Sequence, residues 1–273
     1  MTNKLIGWYL KNKRDLPWRK TKDPYSIWVS EIILQQTQIK TGINYYNRFL
    51  EKFPNIKSLS MAHELEVLNL WEGLGYYNRA LNMLIAAQTV MKKHNGIFPV
   101  KYDDLILLKG VGEYTASAIS SICSNENKAV LDGNVYRFLS RLYNIATPIN
   151  TLKGKKEFQK LANKILPNIN SGTYNQAIME FGSIHCKKHI PKCHVCPFNA
   201  ECLSFNSSVV NLRPVKNKVK RIKIRYLNYF IIRHNEQFII QQRGNKDIWK
   251  KLYELPLIES IKEISKVQLI KHH

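Results

Sequence analysis

Leu107-Leu108-Lys109-Gly110-Val111-Gly112-Glu113-Tyr114-Thr115-Ala116 is the stretch whose reading decides the fold. Two glycines separated by one apolar residue interrupt a helical pattern, and a new helix begins at once, which is the signature of a helix–hairpin–helix. The glycines permit the tight turn, Val111 can pin the hairpin into a core, and the N–H groups opening the second helix face a phosphate with nothing to block them. Such contacts hold a backbone without reading its sequence. A lone Gly-Val-Gly can also simply join two packed helices, so the rest of the chain has to decide between the two.

Outward from the hairpin the pattern stays helical. From Trp8 to about Phe205 apolar residues recur at three- and four-residue spacing, as in Leu65, Leu68 and Trp71, or Ala116, Ile119 and Cys123. Short breaks fall at Phe53-Pro54, Gly73, Phe98-Pro99 and Gly110, so residues 1–205 read as an all-α body with the hairpin motif at about 105–118. Between Asn206 and Arg225 the composition turns to Ser, Asn, Pro214 and a charge run, Lys216, Lys218, Lys220, Arg221, Lys223 and Arg225, which reads as a basic linker. Beyond it, residues 226–232 and 237–241 read as two β-rich runs joined by the polar turn Arg233-His234-Asn235-Glu236. A chain of 273 residues can bury at least one sizeable core and carry two domains, although the segment 226–273 is short for an independent one. No internal repeat or low-complexity tract is present.

Composition narrows the partner. Lys and Arg number 42 against 20 Asp and Glu, a formal net charge of +22 that suits a polyanion, with nucleic acid the default. A biased composition could also produce a merely solvated basic surface. The sequence shows no acylation signal, amphipathic anchor, signal peptide or apolar run of membrane-spanning length, which argues against a membrane surface. Four of the five cysteines, Cys186, Cys193, Cys196 and Cys202, stand as C-x6-C-x2-C-x5-C, a spacing that asks for a metal centre. It leaves tetrahedral zinc and an iron–sulfur cubane open. Disulfides fit poorly, because no secretion signal is seen and Cys123 would stay unpaired. His185, His189 and His194 flank the cysteines and are expected to face solvent or phosphate, since four thiolates suffice as ligands.

Two carboxylates stand out. Glu31 lies in Trp28-Val29-Ser30-Glu31-Ile32-Ile33-Leu34-Gln35-Gln36-Thr37-Gln38, where a helical reading puts Glu31, Leu34, Gln35 and Gln38 on one face. Asp132 lies in Val130-Leu131-Asp132-Gly133-Asn134-Val135-Tyr136-Arg137, where an apolar run delivers Asp and Asn at a Gly turn before another helix. That position is equally natural for an N-cap.

Taken together, the Glu31 segment, Trp71-Glu72-Gly73-Leu74-Gly75-Tyr76-Tyr77-Asn78-Arg79, the hairpin, the Leu131–Arg137 run and the cysteine spacing resemble the adenine DNA glycosylases of the MutY type, within the helix–hairpin–helix glycosylase superfamily. The resemblance runs unbroken from residue 1 to about 260. It implies a mainly α, two-lobed fold with a DNA cleft between the lobes, and a [4Fe–4S] cluster rather than zinc in the loop 186–202. It also implies a monomeric, cytoplasmic, nucleoid-associated enzyme of bacterial type that removes adenine mispaired with 8-oxoguanine or guanine from double-stranded DNA.

The implied chemistry suits the residue types. An adenine must leave the stack before its glycosidic bond can be reached, and it leaves poorly as an anion unless a ring nitrogen is protonated. The resemblance gives this role to Glu31. Raising its pKa from about 4.3 to about 7 takes on the order of 3.7 kcal/mol, so Glu31 should be desolvated. The resemblance gives Asp132 the opposite task, staying ionised to stabilise the cationic sugar, which calls for an opposite environment. Tyr114 stands where endonuclease III-like glycosylase–lyases carry the lysine that forms a Schiff base. Tyrosine cannot form that imine, so hydrolysis without strand cleavage is implied, with Tyr114 and Asn134 assisting Asp132.

Further assignments rest on the resemblance alone. Gln36 and Tyr76 match residues that enter the stack, Thr37 a contact to the opposing base, and Arg14, Leu16, Trp18, Arg19 and Gln176 the surroundings of the extruded adenine. Gly110, Val111 and Gly112 match the backbone clamp. Residues 226–273 resemble the opening of a Nudix-like domain, with Trp249–Pro256 matching its early pattern. The chain stops at Ile270-Lys271-His272-His273, so that domain is expected to be truncated and the preference for 8-oxoguanine over guanine weakened. Two other readings of the chain are a bifunctional glycosylase–lyase and a non-catalytic lesion-binding protein.

Overall fold

A computed structural model of the protein describes residues 1–217, 224–244 and 252–264. These fall into two units, Met1–Gly75 with Arg79–Asn217, and Tyr76–Asn78 with Lys218–His273. The helices run in the order α1 (Thr2–Asn12), α2 (Pro24–Leu34), α3 (Ile39–Lys52), α4 (Ile56–Ser60), α5 (Glu64–Leu70) and α6 (Asn78–Lys93). They continue with α7 (Tyr102–Leu105), α8 (Glu113–Ser124), α9 (Gly133–Leu142), α10 (Leu152–Ile165), α11 (Ser171–Glu180) and α12 (Leu203–Asn206). A 3-10 turn spans Pro17–Arg19, and a π-helical turn, Phe181–His185, extends α11.

The hairpin forms as its residues require. Gly110 has φ +82, and a Cβ there would stand 2.9 Å from the Asn82 Cβ, so only glycine fits without strain. Val111 is buried, while Gly112 caps α8 with open space around its Cα. The apolar stripe of α8, with Ala118 fully buried, meets α1, α9, α10 and α11 in one core that includes Leu5, Phe138, Phe158 and Phe181. Trp28, Tyr25 and Phe98 form a second aromatic group, and Phe49 touches both Phe53 and Trp71. Leu65 departs from the expected stripe: it is exposed, and the buried residues of α5 are Val67 and Leu68.

The helix carrying Glu31 is shorter than its sequence pattern suggested. Asp23 caps it, accepting from the Ser26 N–H at 2.8 Å, with Pro24 at its first position. It stops at Leu34, and Gln36 reverses the chain at φ +60. The Arg79 guanidinium satisfies the freed carbonyls, donating to Ile32 O at 2.9 Å, Ile33 O at 3.1 Å and Gln35 O at 2.5 Å. Gln35 and Gln38 therefore lie off the helix.

The segment read as linker is anchored over its first half. Residues up to Asn217 belong to the first unit, where Ile149 N–H donates to Val215 O at 3.0 Å and Asn217 N–H to Asn150 Oδ1 at 2.9 Å. Lys218, Lys220, Arg221 and Lys223 lie outside the described residues, as do Trp249–Lys251 and Ile270–His273.

In the second unit the strands are short, and the two expected runs meet across their turn only at their inner ends, where Ile239 N–H donates to Ile232 O at 3.0 Å. β1 (Tyr226–Tyr229) pairs antiparallel with β6 (Leu257–Ser260), β2 (Arg233–His234) with β3 (Gln237–Phe238), and β4 (Gln241–Gln242) with β5 (Tyr253–Glu254). The turn is Asn235-Glu236 alone, because Asn235 takes φ +54 and closes a two-residue loop. Arg225 grips Glu259 with two hydrogen bonds across β1 and β6, and Arg243 pairs with Glu254.

Candidate active site

Within the first unit a cleft of about 1800 Å3, counting its open mouth, is lined from α2, α8, the start of α9 and α11. Arg14, Leu16, Trp18, Arg19, Glu31, Gln36, Thr37, Tyr114, Asp132, Asn134 and Gln176 all line it. Residues 14–19, 31–37, 114, 132–134 and 176 are far apart in sequence, and the fold brings them together. Gly110, Val111 and Gly112 sit in the hairpin instead. Tyr76 belongs with the second unit, exposed and at φ +48.

Glu31 projects from α2, whose other residues Trp28, Val29, Ile32 and Ile33 are buried. Burial pushes its carboxyl from an ordinary 4.5 up to about 7, opposed by a hydrogen bond with Tyr114 and reinforced by the charge of Asp132. The two acids are thus close enough to feel one another. Burial also raises Tyr114 well above 10, so its hydroxyl keeps its proton; it donates to Met179 Sδ at 3.2 Å.

Asp132 is the N-cap of α9. Its Oδ1 accepts from Asn134 N–H at 2.9 Å and Val135 N–H at 2.8 Å, and its Oδ2 from the Asn134 amide at 2.6 Å. The expectation of opposite environments needs correction here, because burial raises Asp132 as well. What separates the two acids is their donors. Val135, Asn134 and the Arg137 charge all pull Asp132 down, and the opening of α9 favours an anion there. The helix cap and the cleft-lining carboxyl are therefore one side chain, so the two sequence readings of Asp132 do not compete.

Arg137 fixes Asn134 from behind. Its guanidinium donates to Asn134 Oδ1 at 2.8 Å, Gly182 O at 2.5 Å and Cys186 O at 2.8 Å. A Cβ on Gly182 would lie 2.6 Å from Asn134 O, so this close approach of α9 and the π-helical turn requires glycine. One guanidinium thus ties the Asp132 corner to the start of the cysteine loop.

A third buried acid was not picked out from sequence. Glu180 is 1 % exposed and accepts from Arg14 Nε at 2.9 Å and Nη2 at 2.5 Å, and from Arg19 Nη1 at 2.9 Å and Nη2 at 2.8 Å. Burial pushes its carboxyl up, but the two guanidinium forks outweigh this and hold it at about 2. It serves as an anchor that aims both arginines, not as a proton carrier. Tyr9 donates to Gln176 Oε1 at 2.7 Å and orients that amide, while Trp18 packs edge-on to Tyr46 at 5.3 Å. Glu180, Tyr9, Met179 and Ser183 carried no local signal, because their partners lie more than sixty residues away in the chain.

The four cysteines line one small cavity, about 20 Å3, beside Arg141, Phe138 and Phe198. Arg141 donates to Cys186 Sγ at 3.4 Å and to Lys187 O at 2.7 Å, and the Phe198 N–H to Cys196 Sγ at 3.4 Å. Among the described residues no three His, Cys, Asp or Glu side chains close around a point that one metal ion could occupy. Burial pushes the Cys196 thiol up to about 11, so an incoming cation has protons to displace. His185 corrects the expectation of a solvent-facing ring: it is 7 % exposed and stacks on Phe181 at 4.7 Å. His189 and His194 are exposed.

Comparison with known proteins agrees with this architecture. The HhH-GPD family, described as a superfamily of base excision DNA repair proteins, matches residues 29–168. Adenine DNA glycosylase of Buchnera aphidicola subsp. Acyrthosiphon pisum is 39 % identical over 260 residues, covering 95 % of this chain and 74 % of that protein. The human adenine DNA glycosylase is 40 % identical over 208 residues, covering 72 % of this chain and 38 % of the human one. Among solved structures, a thermostable thymine-DNA glycosylase aligns with TM-score 0.69 and 26 % identity over 76 % of this chain and 95 % of its own. An endonuclease III from a non-covalent DNA complex shares the fold, with TM-score 0.65 and 22 % identity over 76 % of this chain and 94 % of its own. The chain belongs to the adenine DNA glycosylases of the HhH-GPD superfamily, and is a monofunctional enzyme acting on N-glycosyl bonds.

Proposed function

We propose that the enzyme binds double-stranded DNA as a monomer and hydrolyses the N-glycosidic bond of adenine mispaired with 8-oxoguanine or guanine. The observation that carries this reading is one cleft holding a carboxyl poised at about 7, Glu31, within electrostatic reach of a helix-capping carboxylate, Asp132. An adenine turned out of the stack enters this cleft. Glu31 gives its proton to a ring nitrogen, the bonding pair of the C–N bond leaves with the base, and the cationic sugar faces Asp132. Water then completes hydrolysis. Arg14, Leu16, Trp18, Arg19 and Gln176 surround the base, Gln36 and Thr37 stand at the mouth, and Tyr76 serves as the further contact within the stack. Asn134 and Tyr114 hold the two acids in place, and the open backbone of Gly110, Val111 and Gly112 clamps a phosphate. Single-turnover adenine release from duplexes holding adenine opposite 8-oxoguanine, guanine or thymine tests this; equal rates on all three would defeat the mispair assignment.

The cysteine cavity suits a [4Fe–4S] cluster held by Cys186, Cys193, Cys196 and Cys202. Four soft thiol ligands on one cavity, with N–H donors aimed at sulfur, are the donor set a cubane takes, and the resemblance favours it over zinc. Bound there, it would hold together the ends of the loop, from Cys186 after the π-helical turn to Cys202 before α12, through four thiolate bonds. Among the described residues no helix is long and apolar enough to cross a membrane, and a bacterial-type cytoplasmic enzyme working on the nucleoid is the reading we adopt.

A further inference from the structure

Tyr114 has one hydroxyl proton and two neighbours that can take it. Met179 Sδ accepts it at 3.2 Å, and the Glu31 carboxyl, on the same cleft wall, lies near enough to the hydroxyl to compete for it. Met179 sits on α11 and lines the cleft, while Tyr114 sits in the first turn of α8. When Glu31 is ionised, its carboxylate is much the stronger acceptor and takes the proton. When Glu31 is protonated, its own O–H donates to the Tyr114 oxygen, and the tyrosine proton needs another acceptor. The thioether is the one in place, a weak acceptor that is easily left.

We propose that Met179 is a positioning residue of the acid: by accepting the Tyr114 hydroxyl it favours the chain of donors Glu31 to Tyr114 to Met179 that exists only while Glu31 carries its proton. Once that proton passes to the adenine ring nitrogen, the Tyr114 hydroxyl swings from Met179 to the new carboxylate. No bond other than the glycosidic bond breaks in this step, and the only proton transferred goes from Glu31 to the base. The swing gives Glu31 a donor only after it has delivered its charge, which lowers the barrier rather than the ground state.

The inference rests on the assignment of Glu31 as the acid. Ionisable groups acting on Glu31 or Tyr114 are each other, Asp132 at the α9 cap and Cys123 on α8, while Arg14 and Arg19 around the 3-10 turn and Glu180 on α11 line the same cleft. Met179→Leu changes none of them.

Single-turnover adenine release measured across neutral pH gives the test. Met179→Leu should move the alkaline limb toward acid by roughly half to one pH unit, the worth of one weak hydrogen bond to the protonated form. Met179→Gln, whose amide oxygen can accept, should hold the limb at or above its wild-type position. In a Tyr114→Phe background Met179→Leu should have no further effect. A limb in Met179→Leu that coincides with wild type, or a shift that persists without Tyr114, overturns the inference. Adenine release that survives Glu31→Gln sinks the acid assignment itself. That outcome is distinct from failure of the Met179 step, in which dependence on Glu31 remains and only the shift is missing.

Discussion

The Glu31 corner and the Asp132 corner of the cleft start from the same physics and differ in the donors that meet them. Burial raises both carboxyls. Glu31, in the last turns of a helix lined by Trp28, Val29, Ile32 and Ile33, has near it as donor only the Tyr114 hydroxyl, whose proton goes to Met179. Asp132, at the start of a helix, meets two backbone N–H groups and an amide, with Arg137 behind them. Dryness pushes both acids the same way, and the donors that oppose it are more numerous at Asp132 than at Glu31. A helix start offers such donors where a helix body cannot.

Removing the proposed proton carrier is the severest way to break this contrast. Glu31→Gln should lower single-turnover adenine release by about 10²- to 10⁴-fold while duplex affinity stays near wild type. A variant that keeps most of its rate would move the acid elsewhere. Next in size, Asp132→Asn should cost about 10²- to 10³-fold in rate with little change in melting temperature, because asparagine caps a helix as well as aspartate. A matching collapse of stability would mean that the cap, not the charge, is what the site needs.

Stability against pH sharpens the comparison further. Glu31 titrates at about 7 in the fold against an ordinary 4.5, so the folded state holds the extra proton between those values. Its contribution is fully present below about 4.5 and is lost as pH rises through about 7, roughly 3 kcal/mol in all. Denaturant unfolding at a series of pH values should show this loss in wild type and not in Glu31→Gln; parallel curves would mean that Glu31 is wet. The smallest expected effect is that of Arg137→Lys. It keeps the charge but loses the fork that reaches Asn134, Gly182 and Cys186, and should slow adenine release about tenfold. Amide exchange at residues 182–187 should quicken in the same variant, and unaltered exchange would detach the cysteine loop from the Asp132 corner.

Much of this was legible in the chain. The hairpin, the helical body, the cysteine set and both acids are local patterns, in which a glycine at positive φ or an aspartate before a helix announces itself within a few residues. Less legible were the places where a distant side chain overrides a local pattern. The periodicity around Glu31 runs on past Leu34, and only Arg79, arriving from α6 to bind three carbonyls, shows why the helix ends. The pairing of β1 with β6 rather than with the nearer run also depends on residues about thirty positions away. Leu65 looked like core by spacing and is exposed.

Glu180 marks the limit most clearly. In sequence it is an acid on a helix, and a buried acid cannot be told from a surface one until its partners arrive. Sequence alone determined which residue types were present to do proton transfer, charge stabilisation and metal binding, because those depend on composition and short spacing. Only the tertiary structure decided which acid is dry with one donor, which is dry with several, and which is locked between two arginines. Protonation follows from the groups that surround a carboxyl in space, and those come from segments that the chain itself keeps far apart.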